Sequence, residues 1–136
     1  MREWEALRDC GYWSGVLPLR AATRPPIGDA PVPELVVGSD RVDLRQALTE
    51  LASRTRARLV RVDSGGQLIR ALLDLRRVDE VSLLVHPCLT DAGSQHWYGG
   101  DPPPAVTMTR LAVETFNSGL VWLRYRVEHP PPCPAP

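Results

Sequence analysis

The sequence predicts an α/β fold: a three-stranded βαβαβ core with parallel strands, extended by a C-terminal antiparallel β-hairpin. Three observations carry this expectation. Short apolar runs alternate with two segments of helical periodicity between residues 34 and 86. Each of those helical segments opens on a capping sequence. The last two extended segments flank Asn117-Ser118-Gly119, a turn composition suited to a hairpin.

The first segment, Arg2 to Gly11, reads as a short helix with Trp4, Ala6 and Leu7 on neighbouring faces and Gly11 as its C-terminal cap. Tyr12, Trp13, Val16, Leu17 and Leu19 then suit an extended piece packed on the core. Residues 18–33 contain five prolines with Gly28 and Asp29 between them, a composition that denies the backbone a regular ladder. A long surface loop is expected there.

Glu34–Gly38 is a short apolar run bounded by turn residues and predicts a buried strand. Leu44, Ala47, Leu48, Leu51 and Ala52 follow at helical spacing and form one apolar stripe. Asp43 is placed as the N-cap, with Gln46 as its capping-box partner and Val42 stapled to Ala47. Arg54 and Arg56 lie near the end of this helix, where cations favour the dipole.

Arg58–Asp63 alternates as a second strand, with Val60 and Val62 on one face. Ser64-Gly65-Gly66-Gln67 has the S-x-x-Q spacing of another capping box, opening a helix whose stripe is Leu68, Ala71, Leu72 and Leu75. Glu80–His86 is nearly continuous in apolar character and predicts a central strand. Two crossovers of this length imply parallel strands. Ala105–Thr115 and Leu120–Glu128 complete the hairpin, the latter alternating Val121, Leu123, Tyr125 and Val127 with Trp122, Arg124, Arg126 and Glu128. One domain over residues 1–129 is expected, with a proline-rich, disordered tail over 130–136.

Composition narrows the function classes. Sixteen basic and sixteen acidic residues balance to a net charge of zero, which disfavours nucleic-acid binding. All the basic residues are arginine, a bias that together with 14 prolines points to a GC-rich source. The main basic concentration is Arg54, Arg56, Arg58 and Arg61, with Arg76 and Arg77. No apolar run is long enough for a membrane span, and the acidic start is no signal peptide, so a cytoplasmic location is expected. Cys10, Cys88 and Cys133 are an odd number without a CxxC pair, which argues against a disulfide framework and against a four-ligand zinc site.

Open parallel sheets bind ligands beyond the carboxyl ends of their strands. That edge would gather Gly38-Ser39-Asp40, Asp63 to Gly66, and residues 86–98. Ser64, Gly65 and Gly66 could aim backbone N–H groups at an anion, with Asp63 opposing it. Neither GxGxxG nor GxxxxGK[ST] is present, and no cofactor is expected. Cys88 with His86, His96 and Asp91 could form a thiol–imidazole site, since a thiolate needs a nearby cation or base. Their spacing matches no metal-ligand pattern. Trp97 and Tyr98, and Trp122 with Arg124 and Arg126, read as two aromatic–arginine surface patches of the kind that anchor partners.

The order of VLPL, PVPELVVGSD, RLVRVDSGGQLIRALL and VSLLVHP resembles the N-terminal domain of the SseB-like family of small bacterial accessory proteins. The resemblance lies in order alone, spans Val16 to Pro87, and implies an accessory role. The two aromatic–arginine patches make the leading expectation a non-catalytic interaction or accessory module, binding a protein partner or forming a homodimer through the C-terminal hairpin edge. The alternative is a small enzyme built on Cys88 with His86 or His96.

Overall fold

Pro18 lacks an N–H but keeps a carbonyl, and that carbonyl starts the first ladder. In the computed structural model, which describes residues 9–11, 15–26, 33–89 and 96–129, Leu35 N donates to Pro18 O at 2.9 Å and Val37 N to Arg20 O at 2.9 Å. Strand β1 (Leu19–Arg20) thus pairs in parallel with β2 (Leu35–Val36), Leu19 opposite Leu35. The segment expected to be loop throughout therefore begins with a strand, and the proline-rich stretch runs between β1 and β2.

The chain divides into two units, Met1–Val60 and Arg61–Pro136. In the first, Leu35, Val37 and Ala47 are buried together, with Leu17, Val42 and Leu51 packed on them. Helix α1 (Leu44–Thr55) contributes Ala47 and Leu51 of the predicted stripe to this cluster while Ala52 is exposed, and Asp43 caps it by accepting from Gln46 N at 3.0 Å. Val42 and Ala47 share the cluster, as a staple requires. Gly38, at φ +77°, turns the chain so closely on Arg41 O and Asp43 N that a Cβ has no room. Arg20 Nε pairs with Glu34 Oε2 at 2.6 Å, both side chains about 15% exposed, and its Nη1 donates to Arg24 O at 2.6 Å.

The second unit holds helix α2 (Gly66–Asp74) and the strands β3 (Glu80–Val85), β4 (Thr107–Thr115) and β5 (Val121–Glu128). Their order is β3-β5-β4, and every pairing is antiparallel. Leu73, Val81 and Val127 form its buried centre. Past α2 the chain turns through a left-handed Arg76 (φ +55°), with Arg77 N donating to Leu72 O and Arg76 N to Leu73 O, both at 2.9 Å.

Four expectations change here. Arg58–Asp63 is not a strand: Leu59 is 85% exposed, and among the described residues no backbone pairs with the segment. Alternation gave it β character, but a strand also needs a partner. Without that middle strand, β3 pairs with β5 and the three-stranded parallel core does not form. The last strand, β5, is the central strand of its sheet, so the hairpin's edge is β4, which carries a bulge between Arg110 and Ala112. Finally, α2 buries Leu73 beside the expected Leu72, with Ile69, Leu68, Ala71 and Leu75 half-buried. Among the described residues the chain forms a small mixed α/β fold with one parallel and one antiparallel sheet.

The helix expected over residues 2–11 falls largely outside the described residues, as do Asp91, Cys133 and the 130–136 tail. Among the described residues no helix is long and apolar enough to cross a membrane.

Candidate functional site at the start of helix α2

Ser64 and Gln67 have capping-box spacing, yet α2 begins one residue later than that spacing requires. Gly65 occupies the N-cap with extended backbone (φ −66°, ψ 162°), and no side chain caps the helix. Leu68 N donates to Gly65 O at 3.2 Å, while the N-cap residue offers no side-chain acceptor to the first-turn N–H groups. Just before the helix, Asp63 is exposed and paired with Arg61 at 2.9 Å, so its charge is partly offset.

The 96–104 segment lies against this helix start. A Cβ on Gly66 would stand 2.5 Å from Gly99 N, 2.7 Å from Gly99 Cα and 2.7 Å from His96 O. Gly99 in turn has φ +67° and faces Gly66 O and Gln67 N. Two glycines are thus needed at one backbone crossing, one for space alone and the other for space and handedness. The tight turn is closed by Gly99 N donating to His96 O at 2.9 Å. Further along, Arg70 Nη1 donates to Pro102 O at 2.7 Å, while its Nε lies 3.0 Å from both carboxylate oxygens of Asp74.

Two of the regions expected to converge at one edge, 63–66 and 86–98, do meet, through Gly66 and residues 96–99. Gly38-Ser39-Asp40 belongs to the other unit.

The remaining candidates have different surroundings. Trp97 and Tyr98 are half-buried and pack on the Leu73, Val81 and Val127 cluster, so they serve the core rather than a free aromatic patch. Their rings meet edge to face at 5.4 Å, and the His96 ring stacks on Tyr98 at 4.9 Å. His86 and Cys88 are exposed, and no hydrogen bond or ion pair among the described residues joins them to His96. Asp91 lies outside the described residues. Among the described residues no group of three His, Cys, Asp or Glu could hold a metal.

On β5 the polar side chains are committed within the sheet. Trp122 Nε1 donates to Ser82 Oγ at 2.7 Å, and Arg124 grips Glu80 through two bonds of 2.7 and 3.0 Å. The Arg124 guanidinium also lies 5.5 Å from the Trp122 ring centre. Arg124 holds the Glu80 carboxyl below the usual range, first through this hydrogen bond and then through its charge, with Arg126 adding to it. Arg126 remains exposed opposite Glu80 and Thr109. Trp122 and Arg124 are therefore held by side chains of β3, and β5 is flanked by strands on both sides.

Gly99 and Arg70 were not singled out by sequence. The Gly99-Gly100 doublet after Trp97-Tyr98 was a visible signal for a tight backbone approach. The Arg70/Asp74 spacing was visible as a helical pair, but not its reach to Pro102, 32 residues away.

Comparison with known proteins places this geometry in a wider setting. Residues 19–122 match the model of the RibD C-terminal domain. A pyrimidine reductase-like protein of Corynebacterium diphtheriae superposes with a TM-score of 0.70 at 19% identity, covering 84% of this chain and 50% of that one. RibD of Acinetobacter baumannii gives 0.61 at 20% identity, covering 71% and 27%. A Shewanella protein described as belonging to riboflavin biosynthesis gives 0.62 at 17% identity, covering 94% and 70%. The chain thus spans about half the length of the Corynebacterium protein and less of the Acinetobacter one. No curated protein matches. The match over 19–122 overturns the expected non-catalytic interaction or accessory module and replaces the SseB-like resemblance, which rested on segment order alone.

Proposed function

The chain belongs to the RibD C-terminal domain family, and from that premise we propose that it is a reductase-type domain whose hydride donor is held by its phosphates at the N-terminus of α2. The observation that carries this reading is the uncapped helix start at Gly65–Gly66, crossed closely by Gly99.

Common hydride donors, the nicotinamide dinucleotides and flavins, carry phosphate groups. An uncapped helix start suits such a group, since its N–H donors and the positive end of the dipole point the same way. The residues present fit: Gly65 brings no competing side-chain acceptor, and Arg61 offsets Asp63. Bound there, the donor would supply the hydride. The chain's own part is to orient it through Gly66, Gln67 and the 96–100 turn. The names of the Corynebacterium and Shewanella proteins favour a pyrimidine-type substrate of riboflavin biosynthesis.

The test is Gly65→Asp, which supplies the missing cap. A carboxylate at the N-cap should raise stability by about 0.5–1 kcal/mol through capping and the dipole. The same carboxylate occupies the first-turn donors and repels phosphate. Calorimetric titration with reduced nicotinamide dinucleotides and flavin nucleotides should therefore show binding to the wild type and a loss of affinity in Gly65→Asp despite a higher Tm. A Gly65→Asp variant that binds as well as wild type would refute the site.

A further inference from the structure

We draw no further inference here: the strongest candidate, the apolar end of the β3-β5-β4 sheet where Val85, Val113, Val121 and Leu123 share one partly exposed face, carries nothing because nothing in the structure shows what covers it.

Discussion

Replacing Gly66 by Ala sets two effects of opposite sign against each other. Gly66 opens α2 at ordinary helical handedness, so helix propensity alone favours alanine by up to about 1 kcal/mol. The added methyl, however, would sit 2.5–2.7 Å from Gly99 N, Gly99 Cα and His96 O. All three are backbone atoms, and none belongs to a flexible side-chain end that could swing aside. Gly99 is itself buried, and the chain on either side is tied by Trp97 and Tyr98 in the core and by Pro102 on Arg70. Overpacking of this kind costs about 1–3 kcal/mol. The net expectation is a loss of about 1–2 kcal/mol, or roughly 3–8 °C in Tm for a chain of this size. Urea denaturation at unchanged slope reads it as a lower midpoint. A Gly66→Ala midpoint equal to or above wild type would mean that propensity wins, and that the close crossing of α2 by the 96–99 turn is wrong.

Two further outcomes test other parts of the fold. Asp43→Ala removes the bond from Gln46 N, and should cost about 1 kcal/mol of stability by chemical denaturation; Asp43→Asn should retain most of it. Glu80 bears on acid stability. Its folded pKa lies below the ordinary value of 4.5, so its stabilising contribution is complete above that pH and is lost as pH falls through the lower folded value. Glu80→Gln should therefore lose less stability on acidification than wild type, as followed by Tm against pH. An unaltered acid limb would show that the Arg124 pair has no part in it.

Much of the local structure was legible, and its legibility follows from short-range physics. A carboxylate three residues before a backbone N–H caps a helix wherever the chain goes, so Asp43 and α1 could be placed from sequence. The hairpin turn was readable for the same reason: Gly119 supplies the positive φ of 83° between two β-prone runs. At α2 the local signal misled. Ser64 and Gln67 offered a capping box, but with Gly65 as the N-cap the helix starts one residue later and no N-cap side chain closes it. That departure from the local rule lies at the proposed site, where uncapped donors have a use.

What the sequence determined by itself is the set of segments able to form elements: α1 with its cap, α2 as a helix, β3 as an apolar strand, and β4–β5 as a hairpin. Only the tertiary structure decided which of them pair. Backbone hydrogen bonds between strands join residues far apart in the chain and are nearly indifferent to side-chain identity. Alternation in Arg58–Asp63 therefore could not reveal that it finds no partner among the described residues, nor could β3 announce β5, some 40 residues on, as its neighbour. The same holds for the site. Gly66 and Gly99 are separately unremarkable, and their meaning arises where two backbones pass too closely for a Cβ.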